Sequence, residues 1–393
     1  MKQKGKLPAV AGCLAVQLCA GILYVWSIFR QSAIDYYGWS TAAVDLVSGL
    51  MLFCFCLGGM IGGAWQDRIG PRRMAFIGMP LFGAGVLLSS MWHPGAPIGL
   101  FYFSYCLIAG ASSGMTYGPM LCCVQRWFPE RRGLATGLAS GAFGFSTVVF
   151  APLVSRLLAS FELPVALRIL GIVFLAVGIC ACLLIRAPEE QPAGAMEPDN
   201  SLTLRQAIRT PPFWLLALMC FFYNGTWNML NPLVKSLGIE RGLSAGAATV
   251  CVSLTGLMNA SGRLLMSLLS DRIGRLRTLA LLCGATALAA AGLIGAVGGA
   301  YFAFILLASF AYGGPAGVTP AAMTDYFGPS HAGSKYGIVM LAVGISSVTF
   351  NALSSALRAA TGGYTAAFLV GAATAVLAAA AVAAVAKLLR KKQ

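Results

Sequence analysis

Long apolar runs separated by short polar turns fill this 393-residue chain. A helix of about 20 apolar residues crosses a bilayer. Twelve such spans are predicted, six of them at 8–30, 41–65, 73–91, 98–122, 133–157 and 164–186. The other six are predicted at 212–234, 244–269, 278–298, 300–323, 336–357 and 364–387. The one extended polar interruption, 188–211, reads as a cytoplasmic linker between bundles at 1–187 and 212–393. An all-α integral membrane protein of two pseudo-symmetric six-helix bundles is expected.

Repetition supports that division. Asp-Arg-Ile-Gly occurs at Asp67–Gly70 and again at Asp271–Gly274, each copy after an apolar run and before basic residues. Trp127-Phe128-Pro129 is echoed by Tyr326-Phe327-Gly328 at nearly the same offset. A repeat at half the chain length implies two similar halves, and in membranes such halves commonly enclose a substrate pathway. The repeats carry two readings. Asp67, Arg68, Arg72 and Arg132, with Asp271, Arg272 and Arg275, would form a cytoplasmic latch pairing across the bundles. More simply, they are tight turns with topogenic charge, using Gly70 and Gly274 for backbone freedom.

Composition changes the picture only through charge placement. The net charge is +15, which invites a nucleic-acid partner. Yet 20 of the 27 Lys and Arg fall on the side of the two termini and six on the other, leaving Arg263 within a span. Basic excess marks the cytoplasmic side, so the basicity sets topology and no nucleic-acid partner is expected. The protein should sit in the cytoplasmic membrane as a multi-pass monomer with both termini inside. The basic start followed by an apolar run reads as the first span rather than a cleaved signal, because the run continues to Phe29. Most of the 12 cysteines lie in spans, away from His93 and His331, so neither a metal, a disulfide framework nor a cofactor is expected.

Arg263 is the candidate site. It lies eight residues before Asp271, about 12 Å along a helix axis, where a buried charge costs about 2.5–3.5 kcal/mol on insertion scales. The acidic residues lie toward the two faces, and only Asp45 could approach the interior. An unpaired arginine facing a cavity is explained by a transported carboxylate, which matches guanidinium two-pronged. The alternative is a side chain snorkelling to the cytoplasmic surface. Asn259 lies one turn earlier on the same face. Tyr24, Tyr117, Asn224, Trp227, Asn228 and Tyr312 are further candidates for a cavity lining. Gly133, Gly137, Gly141 and Gly144 form a small-residue face for close helix packing.

The segments Gly21–Phe29 and Gly38-Trp39-Ser40 resemble the oxalate:formate antiporter family of the major facilitator superfamily. So do Tyr117-Gly118-Pro119 with Arg126–Ala135, and Asn259–Arg263 with Ser270–Gly274. The resemblance implies that Arg263 binds a substrate carboxylate. Oxalate carriers of that family also hold a lysine beyond a Tyr-Gly pair; here Tyr336-Gly337 leads to Ala342-Val343. With that second cation missing, a monoanion such as formate, lactate or pyruvate is expected rather than oxalate. The related monocarboxylate transporters often place an acid one turn before the arginine, where this chain has Asn259. A secondary transporter working by alternating access, as exchanger or proton-linked, is therefore expected, and not an enzyme. A dicarboxylate antiporter and a carboxylate-sensing transceptor are the rival readings.

Overall fold

A computed structural model describes residues 5–128, 132–186, 202–328 and 332–390, which are helical with no strand among them. Twelve rods follow in chain order. In the first bundle they are α1 (Lys6–Tyr37), α2 (Thr41–Gln66), α3 (71–89), α4 (Ile98–Trp127), α5 (Arg132–Ser160) and α6 (Leu163–Leu184). In the second they are α7 (Pro211–Leu230, continuing to Glu240), α8 (Ala245–Ile273), α9 (Arg275–Gly292), α10 (Gly298–Phe327), α11 (Ala332–Thr361) and α12 (Thr365–Arg390). Eight of them are long and apolar enough to cross a membrane on those grounds alone. Large apolar side chains such as Leu183, Leu281, Leu288 and Val376 stay exposed on the outside, the surface that lipid covers.

The bundles repeat each other in local detail at one offset, 204 residues. Gly38 and Gly242 both take positive φ, and Ser40 and Ser244 then cap α2 and α8 through their hydroxyls. Gly70 (φ 81°) and Gly274 (φ 94°) break the chain at the end of the two Asp-Arg-Ile-Gly repeats. A side chain would be strained at such angles, so the glycine requirement is met in both copies. Outside that fixed offset, the first helix of each bundle tightens into a 3₁₀ turn, at Gly21–Val25 and at Asn231–Leu233.

Two seams join the bundles. α5 packs on α8 through glycines: a methyl at Gly137 would meet Leu264, and one at Gly144 would meet Asn259 and Ala260. On its other side α8 is pressed against α10, where Gly313 abuts the Asn259 carbonyl and Gly317 the Arg263 carbonyl. The segment carrying Asn259 and Arg263 is thus clamped between small residues of two helices. At the second seam, α2 meets α11 through Ser48 Oγ donating to Asn351 Oδ1 (3.1 Å) and Ser347 Oγ donating to the Gly49 carbonyl (2.7 Å).

One ionic feature departs from the sequence reading. Arg30, one of the six basic residues expected on the side away from the termini, is buried in α1 and bonds both carboxylate oxygens of Asp45 on α2. Asp45 also accepts from Ser355 of α11 at 3.5 Å. Hence the one acid that could have approached Arg263 is committed to Arg30.

Candidate functional site

Arg263 projects from the middle of α8 and is only 3% exposed. Its Nε donates to Asn259 Oδ1 at 2.7 Å, one turn back on the same helix. Nη1 donates to the Tyr117 hydroxyl of α4 at 3.2 Å, and Nη2 to the Tyr24 hydroxyl of α1 at 3.1 Å. The Phe143 ring of α5 lies 5.6 Å from Cζ, within cation–π range. No carboxylate pairs with it among the described residues. The guanidinium neither stretches to the cytoplasm nor locks onto an acid; neutral dipoles and a π face hold it.

Donor arithmetic then defines the chemistry. A guanidinium carries five N–H groups, and the three bonds above leave one N–H on each Nη. A carboxylate grips such a pair two-pronged, and these charge-assisted bonds are the strong ones. Tyr24 and Tyr117 accept from the guanidinium, so their own O–H groups remain free to donate. Tyr24 meets the Tyr312 hydroxyl at 3.3 Å, which brings α10 into the same network.

These groups line a central cavity of about 50 Å³. At roughly 10–15 Å³ per water position, that is space for roughly three to five waters, the scale of an acid of a few carbons. Its wall includes five of the expected residues: Tyr24, Tyr117, Asn224, Arg263 and Tyr312. Asn259 stands behind the wall as the Nε acceptor. Trp227 is one layer further out, stacked on Tyr312 with ring centroids 5.4 Å apart. Asn228 is not in the wall, because its Nδ2 is given to Ser346 of α11 at 3.3 Å.

Other wall residues were not anticipated: Phe55, Phe143, Cys220, Thr319, Tyr336 and Met340. Phe143 makes edge contacts with Tyr24 and Tyr117 at 5.6 and 5.1 Å, fixing both phenols around the guanidinium. The glycine face of α5 was the available signal, since it draws that helix onto α8 and carries Phe143 with it. Val343, read as replacing a second cation, is in the wall, so a side chain there reaches the cavity.

Of the charges expected to form a latch, the second copy's are the ones seen to pair. Arg275 bonds Asp271, Ser270 and, at 2.9 Å, Asp325 of α10. All belong to the second bundle, so this cluster ties α8, α9 and α10 together rather than joining the bundles. Burial pulls the Arg275 pKa down, but the bonds and charges of Asp325 and Asp271 outweigh it and hold the group above its ordinary value. Arg272 is exposed, and Arg72 lies over Phe76. The side chains of Asp67, Arg68 and Arg132 lie outside the described residues.

Among the described residues, twelve rods in two repeated bundles around a cationic centre have the architecture of a membrane transporter. The chain belongs to the Major Facilitator Superfamily, whose profile matches residues 11–320. It is 30% identical over 376 residues to the oxalate:formate antiporter of Oxalobacter formigenes, covering 94% of this chain and 88% of that protein. It is 27% identical to human monocarboxylate transporter 11, over 93% of this chain and 79% of that one. In three dimensions it resembles the crystal structure of the transporter FucP in the outward conformation. That match has a TM-score of 0.68 at 15% identity and covers 97% of this chain and 99% of FucP.

Proposed function

We propose that this protein moves a small organic monocarboxylate across the cytoplasmic membrane by alternating access, with Arg263 as the carboxylate-binding residue. The observation that carries the reading is the buried guanidinium with one free N–H on each terminal nitrogen and no carboxylate partner among the described residues. Burying an uncompensated charge is costly, so a bound anion relieves the site by pairing with it. In this reading Asn259, Tyr24 and Tyr117 orient the guanidinium, and Tyr312 joins the two bundles over the substrate.

A monoanion fits the charge balance better than oxalate, because the cavity holds one fixed cation and Val343 occupies the wall of α11. Similarity to an oxalate:formate antiporter and to a monocarboxylate transporter supports the carboxylate class. Exchange is the favoured mode. The loaded carrier is electrically neutral at its centre and closes readily, whereas the empty one must close over a bare charge. Asp45, the one acid expected to approach the interior, is engaged by Arg30 and does not line the cavity.

Counterflow in proteoliposomes with a panel of mono- and dicarboxylates tests the proposal. Accumulation of labelled short monocarboxylates, driven by unlabelled acid inside, is the expected result. Binding without accumulation would instead favour a sensor, and preference for dicarboxylates would overturn the monoanion assignment.

A further inference from the structure

The cavity wall carries a second polar feature outside the hydrogen-bonded network built around Arg263. Thr319 of α10 lines the cavity, is 2% exposed, and its Oγ1 bonds no N or O among the described residues. A helical threonine commonly returns its hydroxyl to the carbonyl one turn back; Thr255, Thr286 and Thr324 all bond a carbonyl in this manner. Thr319 does not. The Cys220 thiol lies beside it, and sulfur is a weak partner.

The next residue adds a second opening. Pro320 has no N–H, so the carbonyl of Ala316, also in the wall, lacks its helical donor one turn on. Pro315 creates the same deficiency at the Ala311 carbonyl, and there the buried Tyr223 hydroxyl supplies the missing bond at 2.5 Å. No side chain does this for Ala316 among the described residues. One proline gap is filled by protein, and the other belongs to a wall residue three positions before Thr319, whose hydroxyl has only the weak Cys220 thiol beside it. Buried polar groups in native structures normally find partners. A substrate oxygen would give this pair one.

We infer that the Thr319–Ala316 pole receives a hydroxyl or oxo oxygen of the substrate while Arg263 holds its carboxylate. The substrate class is then a short hydroxy- or oxo-monocarboxylate rather than an unsubstituted acid. The inference rests on the monocarboxylate reading proposed above. An oxo oxygen accepts from the Thr319 hydroxyl; a substrate hydroxyl does so and also donates to the Ala316 carbonyl. An unsubstituted acid offers neither group an oxygen partner.

The test compares matched acids as competitors of counterflow in proteoliposomes: lactate against propionate, and 3-hydroxybutyrate against butyrate. A net hydrogen bond is worth about three- to tenfold in affinity. The oxygenated acid should lead by that factor in at least one pair. Thr319→Val, close to isosteric, should bring the ratio near one, and Thr319→Ser should restore it. The ratio does not depend on how much variant protein folds. Equal affinities within both pairs, or a preference that survives Thr319→Val, would overturn the inference and leave the role of Arg263 standing. Failure of every monocarboxylate to exchange would remove the reading beneath it as well.

Discussion

Two glycines one turn apart on α5 should respond oppositely to the same one-carbon change. At Gly144 an added methyl would lie 2.8 Å from Asn259 Oδ1, 3.1 Å from the Ala260 nitrogen and 3.3 Å from its Cα. At Gly141 the nearest atom, the Ala260 carbonyl oxygen, would be 3.9 Å away, an ordinary contact. Both changes gain about 0.5–1 kcal/mol from replacing glycine in a helix interior. Only Gly144→Ala then meets overpacking, which costs about 1–3 kcal/mol. It also pushes on the atom that accepts from Arg263 Nε at 2.7 Å. A hydrogen bond to a charged group is worth about 1.5–3 kcal/mol, so its disturbance should weaken carboxylate affinity roughly tenfold. Thermal unfolding in detergent and the half-saturating concentration for counterflow read the two terms separately. Gly141→Ala should be neutral or slightly stabilised with parental affinity. If the two variants behave alike, α5 does not set the position of Asn259 and the clamp on α8 is misjudged.

Further outcomes follow from the other polar features. Asp45→Asn leaves Arg30 buried without its partner and should cost about 3–5 kcal/mol of stability, while Arg30→Met combined with Asp45→Leu should recover much of it; parental unfolding of Asp45→Asn would count against the pair. Val343→Lys places an ammonium in the cavity wall and should raise oxalate uptake relative to formate, measured in the same vesicles. Unchanged selectivity there would remove the charge-balance argument for a monoanion.

Much of this architecture was legible because lipid imposes simple patterns. Spans could be read from apolar run length, and the Gly70 and Gly274 breaks from a repeated motif with a backbone reason. Arg263 stood out because charge inside an apolar run is costly wherever it points. Arg30 was not legible in the same manner: it lies at the end of a run, and its burial depends on Asp45 meeting it from a different helix. Phe143, Thr319 and Tyr336 look like ordinary span residues, since only helix rotation decides which of them faces the centre. Asn228 shows the converse. It lies one helical turn from Asn224, which does line the cavity, but a neighbouring serine on α11 claims its side chain. The charges at Asp271 and Arg275 were visible as a cluster, while their partner Asp325 comes from α10 of the same bundle, a contact set by packing.

Replacing the central guanidinium tests the account most directly. Labelled monocarboxylate counterflow would be measured for the parental protein, Arg263→Gln and Arg263→Lys in matched proteoliposomes. Truncating one side of a buried charge interaction typically costs 2–5 kcal/mol or more, so Arg263→Gln should lose about 30-fold or more in apparent affinity. Arg263→Lys, a point charge without the fork, should recover only part of it. Parental exchange of every acid by Arg263→Gln would contradict the account at its base.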